Sequence, residues 1–107
     1  NWFRKGADGK FVWPGYGENM RVLAWILQRV EGQGGASENA FGLSPNYDDL
    51  QWKGLSFSRE QFASVIGVDK SAWQQELKLH DELFGQLAHH LPVEFKVVKQ
   101  RLEKAVA

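Results

Sequence analysis

The chain has 107 residues, enough for one domain around a modest core. Thirteen basic and thirteen acidic side chains cancel, so no net field recruits nucleic acid or an anionic membrane. Zero cysteines exclude a disulfide framework and cysteine-ligated zinc, and 43% hydrophobic residues argue against a disordered chain. The longest strongly apolar run, Val22 to Leu27, is too short to cross a bilayer. The chain opens on Asn1-Trp2-Phe3 without Met, and two bulky aromatics at a normally mobile end read as a cut from a longer polypeptide.

Residues 1–13 read as a β-hairpin. Trp2 to Lys5 and Lys10 to Trp13 are the arms, and Gly6-Ala7-Asp8-Gly9 is the turn, with Gly9 free to adopt positive φ. Alternation places Phe11 and Trp13 on one face, Lys10 and Val12 on the other. The stretch Trp13-Pro14-Gly15-Tyr16-Gly17-Glu18-Asn19 cannot be regular structure, because Pro14 lacks a donor and two glycines follow. A helix comes next, with Asn19 as N-cap, Val22, Leu23, Ile26, Leu27 and Val30 as its apolar face, and Gly32 as its stop.

Gly32 to Asn39 reads as a flexible loop, and residues 40–57 as irregular chain anchored by Leu50, Trp52, Leu55 and Phe57. Ser58-Arg59-Glu60-Gln61 has the capping-box pattern ahead of a short helix that buries Phe62, Val65 and Ile66 and stops at Gly67. Ser71-Ala72-Trp73-Gln74 repeats the pattern. A long helix follows, striped by Trp73, Leu77, His80, Phe84, Leu87 and Leu91 and ended by Pro92. Phe95, Val98 and Leu102 line a last helix. The expected fold is an α+β fragment, mainly α: an N-terminal β-hairpin and contact loop (1–19), then a helical region of about four helices (20–107), folded as one unit.

The densest chemistry lies in the first nineteen residues. Trp2, Phe3, Phe11, Trp13 and Tyr16 surround a Pro-Gly-aromatic-Gly turn. Flat rings on a hairpin and a tight turn can leave a slot for a purine, which stacks through its π-face. Stacking does not choose between purines; hydrogen bonds to the base edge do. Asn19 offers a donor and an acceptor, and glycines 15 and 17 let backbone approach closely. The plain alternative is a hydrophobic hairpin packed on the helix, with Asn19 only a cap.

The remaining candidates are weaker. No Gly-x-x-x-x-Gly-Lys-Ser/Thr loop is present. His80 sits on an apolar stripe, and the adjacent His89 and His90 cannot ligate one ion at helical spacing. Asp48-Asp49 and Asp81-Glu82 read as solvated charge. Arg4, Lys5 and Lys10 read as exposed cations available to a phosphate tail, and Lys96, Lys99, Arg101 and Lys104 as a polar helix face.

Asn1-Trp2-Phe3-Arg4-Lys5, with Gly9-Lys10-Phe11-x-Trp13-Pro14-Gly15-Tyr16-Gly17-Glu18-Asn19-x-Arg21-Val22-Leu23, resembles the C-terminal nucleotide-binding segment of the GTP-dependent phosphoenolpyruvate carboxykinases. The likeness is looser beyond residue 32, at Pro45, Asp49-Leu50 and Lys53-Gly54-Leu55. Tyr16 stands where that family more often has Phe, and Met20 where it often has Ser.

The resemblance implies part of the C-terminal lobe of that fold. It implies guanine held among Trp2, Phe3, Phe11 and Tyr16, with Phe3 and Tyr16 stacking and Phe11 as a wall. Gly17 and Glu18 lie in the nucleotide-contacting turn, and Asn19 bonds the base edge. The implied parent is a lyase acting in gluconeogenesis or anaplerosis, a cytoplasmic and usually monomeric decarboxylase. It converts oxaloacetate and GTP to phosphoenolpyruvate, GDP and carbon dioxide with manganese and magnesium. The implied catalytic and metal ligands lie outside these residues, so the isolated piece is expected to be inactive, with the rest of the parent enzyme as its partner. The rival expectation is a non-catalytic module that grips a protein through an exposed aromatic hairpin.

Overall fold

Five tryptophans and seven phenylalanines in a short chain need an interior, and aromatic rings make up half of the buried residues. The computed structural model describes residues 1–107. It contains two compact units, Asn1–Gly67 and Val68–Ala107.

In the first unit Trp13, Trp25, Leu50, Phe57, Phe62 and Val65 are buried together, and Trp2, Val12, Val22, Tyr47, Trp52 and Leu55 pack against them half-buried. Trp13 meets Trp2 and Phe57 edge-on, with ring centroids 5.3 and 5.8 Å apart. Trp52 stacks on Tyr47 at 5.0 Å and on Phe57 at 5.4 Å. Rings at these separations add attraction beyond the area they bury. Their polar handles are satisfied: Trp52 Nε1 donates to the Tyr47 carbonyl, Tyr47 Oη to the Phe57 carbonyl, and Trp25 Nε1 to the Gly35 carbonyl.

Residues 1–13 do not form the expected strands. One antiparallel bridge joins Lys5 to Phe11, flanked by Gly6 N–H to the Lys10 carbonyl and Val12 N–H to the Arg4 carbonyl. Gly9 takes φ 76°, as its place in the turn demands. Tertiary contacts take over on either side of that bridge. Trp2 and Trp13 turn into the core, and Arg4 donates to the carbonyls of Val65 and Gly67 at the end of the helix 59–66. Phe11 and Trp13 therefore do not share a face: Phe11 is exposed and Trp13 buried.

The only ladder lies where a loop was expected. Strands β1 (Ser37–Asn39) and β2 (Gly42–Ser44) pair antiparallel, Ser37 with Ser44 and Asn39 with Gly42. Three-residue strands with Leu43 as their one apolar side chain carry no alternation to read. Their turn is set by Asn39 Oδ1 accepting from Phe41 N–H and by Gly42 at φ 127°. The expected flexible loop before β1 is tied down as well. Gly35 N–H donates to Asp49, and Arg29 donates to the Gly34 carbonyl.

Helix α1 spans Asn19–Val30. Its N-cap is Glu18, correcting Asn19, which is the first helical residue. Its C-terminus closes as expected: Gly32 takes φ 79°, its N–H donates to the Arg29 carbonyl, and Gln33 N–H donates to that of Gln28. The buried residue of α1 is Trp25; of the expected face, Val22 packs half-buried on the core, whereas Leu23, Ile26, Leu27 and Val30 stay exposed. Helix α2 (Arg59–Ile66) carries the expected capping box, with Ser58 Oγ accepting from Gln61 N–H and Gln61 Oε1 from Ser58 N–H. It buries Phe62 and Val65 but not Ile66.

The second unit is a helix pair. Helix α3 (Lys70–Gln86) is capped by Asp69 rather than Ser71, and it ends before Leu87 and Leu91 of the expected stripe. The Asp69 carboxylate reaches Ala72 N–H at 3.0 Å; Ser71 only donates to it. Helix α4 (Val93–Val106) follows Pro92. Gln74 donates to the Val106 carbonyl, Lys99 lies 2.9 Å from Asp81, and Phe84 meets Phe95 at 5.8 Å. These contacts run in opposite order along the two helices, so α3 and α4 are antiparallel.

The Ser58→Ala variant removes one half of the capping box and is expected to lower stability by about 1 kcal/mol, read from the denaturation midpoint. An unchanged midpoint would show that the tertiary contacts of Phe62 hold α2 without its cap.

Candidate functional site

The aromatic side chains of the first sixteen residues divide into two sets. Trp13 is 4% exposed, and Trp2 lies against it. Phe3, Phe11 and Tyr16 are 73%, 57% and 91% exposed. Phe3 and Phe11 face each other edge-on across the single bridge, with centroids 5.9 Å apart and planes at 70°. Lys5 Nζ lies 5.8 Å from the centroid of the Phe11 ring. The core thus absorbs the two indoles and leaves one tyrosine and two phenylalanine rings to solvent.

The turn after Trp13 owes its shape to Gly15. That residue holds φ 134° and ψ 177°, a region open almost only to glycine. Its carbonyl then accepts from Glu18 N–H, closing the 3-10 turn Tyr16–Glu18. This turn presents Tyr16 and runs directly into α1.

Two side chains at the start of α1 are held in place. Trp13 Nε1 donates to Asn19 Oδ1 at 2.8 Å, joining the core to the first helical residue. Glu18 pairs with Arg21 at 2.5 Å, so its carboxylate is engaged within the chain. Arg21 also donates to the carbonyls of Gln51 and Lys53, and thereby fastens the turn to the loop that carries Trp52. Arg21 was not among the expected site residues. The signal was its place three residues after Glu18 on a helix, the spacing that lets the two side chains meet.

The cations expected near a phosphate tail part ways: Arg4 is spent on backbone carbonyls, and Lys5 and Lys10 are exposed. No three of the chain's His, Asp and Glu side chains come together in a group able to hold a metal ion. A concavity of about 400 Å³ lies in the second unit beside Asp81, Phe84 and Lys99. It carries no ring pair facing a slot, and its Lys99 amine is already paired with Asp81 and Glu103.

Asp49 braces the unit from below the turn. Its carboxylate accepts from the Asn46 backbone N–H and side-chain amide, each at 2.8 Å, and from Gly35 N–H at 3.1 Å. The Asn46 backbone bond foremost, with the Asn46 side chain, Gly35 and Arg29 behind it, holds the acid below its usual 3.8 against a smaller opposing effect of desolvation.

These features define the class: a mainly helical fragment of a larger domain, with a short antiparallel hairpin and an aromatic turn at its edge. Residues 1–105 match the family described as the phosphoenolpyruvate carboxykinase C-terminal P-loop domain. The chain is 42% identical over 106 residues to phosphoenolpyruvate carboxykinase (GTP) of Anaeromyxobacter dehalogenans strain 2CP-C, covering 99% of this chain and 18% of that protein. Strain 2CP-1 of the same species has a relative 46% identical over 92 residues, covering 86% of this chain and 15% of that protein. The Corynebacterium jeikeium enzyme is 38% identical over 109 residues, 98% of this chain and 18% of its own length. The chain belongs to the GTP-dependent phosphoenolpyruvate carboxykinase family, as a segment of the C-terminal domain. It spans less than a fifth of the length of these relatives. The loop sequence Gly-x-x-x-x-Gly-Lys-Ser/Thr is not among its residues. No helix is long and apolar enough to cross a membrane.

Two outcomes test this geometry. The Gly15→Ala variant forces a side chain into a backbone region it avoids and is expected to cost about 1–3 kcal/mol of stability, seen by chemical denaturation. The lowered Asp49 pKa stabilises the fold above the acid's unfolded value, and that contribution fades as pH falls through the folded value. In the Asp49→Asn variant the loss of stability on going from pH 6 to about pH 3 should therefore be shallower than in the parent. Equal slopes would show that Asp49 titrates alike in both states.

Proposed function

We propose that this chain supplies the guanine-binding edge of the GTP site in a phosphoenolpyruvate carboxykinase. The observation that carries the reading is the exposure of Phe3, Phe11 and Tyr16 beside a core that buries Trp13 and holds Trp2 half-buried against it. Exposed rings have no folding role that requires them to be flat and solvent-facing, and they offer π-faces to a base. Phe3 and Tyr16 stack, Phe11 forms a wall, the backbone of Gly17 and Glu18 lines the turn, and Asn19 meets the base edge.

In the parent reaction, oxaloacetate loses carbon dioxide, and the enolate oxygen attacks the γ-phosphorus of GTP to give phosphoenolpyruvate and GDP. Phosphoryl transfer of this kind depends on in-line positioning and charge stabilisation. A pocket that fixes the base fixes the far end of the phosphate chain. Manganese and magnesium, together with the phosphate and oxaloacetate ligands, belong to the remaining polypeptide, and no step through a metal is assigned to these residues. The remaining polypeptide is also the partner. The exposed apolar face of α1, formed by Leu23, Ile26, Leu27 and Val30, supports that reading.

In the full-length enzyme, Phe3→Ala and Tyr16→Ala are each expected to weaken GTP binding by about 1–3 kcal/mol, measured by titration calorimetry. Residues 1–107 alone should show no GTP-dependent turnover in a coupled assay. Unaltered GTP affinity in both variants would overturn the base site and favour the protein-interaction module.

A further inference from the structure

Trp13 has two chemically separate ends. Its ring is packed among Trp2, Trp52 and Phe57, which fixes the position of its N–H group. That N–H lies 2.8 Å from Asn19 Oδ1. An indole nitrogen only donates, so it accepts the oxygen half of the asparagine amide and rejects the nitrogen half. A free asparagine can rotate to show either half to a ligand. Here the oxygen is taken, and Nδ2, with two donors, is the half left to a base.

We propose that Trp13 is a positioning residue for purine selectivity: by holding Asn19 Oδ1 it commits the Asn19 amide to donating. The inference rests on the guanine-site reading above. Guanine presents an oxygen acceptor at position 6, where adenine presents an amino donor. A fixed donor bonds the first and opposes the second. The selection thus comes from a buried ring that need not touch the nucleotide. Glu18 does not compete for this amide, because its carboxylate is paired with Arg21.

The test is the ratio of GTP to ATP affinity in the full-length enzyme, with folding followed by thermal unfolding. Trp13→Phe keeps an aromatic ring and deletes the N–H. It should lower the ratio about tenfold, the weight of one neutral hydrogen bond at its upper end, because the amide can then turn its oxygen to adenine. Loss of stability alone would weaken both nucleotides and leave the ratio unmoved. Asn19→Asp is the second variant. With one carboxylate oxygen held by Trp13, the other presents an acceptor, and the preference should move towards ATP whether or not Trp13→Phe folds.

A folded Trp13→Phe enzyme with the parent ratio would overturn the clamp. So would an Asn19→Asp enzyme that keeps the parent preference. Asn19→Ala separates the two levels of the argument. If it alters the ratio and Trp13→Phe does not, only the clamp is lost. If neither Asn19→Ala nor Phe3→Ala changes GTP binding, the base site falls, and the clamp with it.

Discussion

The burial of Trp13 is the constraint on which the first unit turns. Its ring contacts Trp2 from the chain start, Trp52 from the middle loop and Phe57 just ahead of α2, so one side chain gathers three distant pieces of sequence. Its N–H reaches the beginning of α1. A large aromatic body with one polar tip suits this role, since the body supplies apolar area and the tip must find a partner once buried. The turn that presents Tyr16 is strung between that ring and the helix it bonds, and its course is set at both ends.

Loops do much of the work that strands perform elsewhere. The unit has one three-residue hairpin, and its remaining order comes from side chains that bond to backbone. Arg4 reaches the end of α2, Arg21 reaches the carbonyls of Gln51 and Lys53, and Asp49 gathers Asn46 and Gly35. Gly35 is held to glycine by proximity: a Cβ there would lie 2.5 Å from Asp49 Oδ1. Such bonds satisfy backbone groups that no ladder serves. The second unit follows a simpler logic. Leu77 and Val106 are buried, Phe84 meets Phe95, and Lys99 bridges Asp81 and Glu103, which together raise its pKa, the Glu103 bond foremost.

Where sequence and structure agree, the signal was local. The Ser58 capping box needs only four consecutive residues, and the stop at Gly32 needs only a glycine able to adopt positive φ. Where they differ, another residue claimed the position or the contact. Asn19 has the chemistry of an N-cap, but Trp13 claims its oxygen and Glu18 takes the cap position. Ser71 yields to Asp69 because the helix already begins at Lys70, where the Asp69 carboxylate accepts from Ala72 N–H. Helical spacing picked Val22, Leu23, Ile26, Leu27 and Val30 as the inward face of α1; Val22 does pack on the core, but the other four stay exposed and Trp25 faces inward, its N–H bonding the Gly35 carbonyl.

The sequence by itself determined the helix content, the tight turns at Gly9 and Gly32, the family, and the segment in which aromatic rings crowd around a Pro-Gly turn. All of these follow from residue type and short spacing, which the chain carries without folding. Only the tertiary structure decided which rings are core and which face solvent, because burial depends on what Trp52, Phe57 and Phe62 bring from far along the chain. It also decided that Asn19 is gripped by an indole and Glu18 by a guanidinium, since the direction of a hydrogen bond is fixed only when both partners have a place.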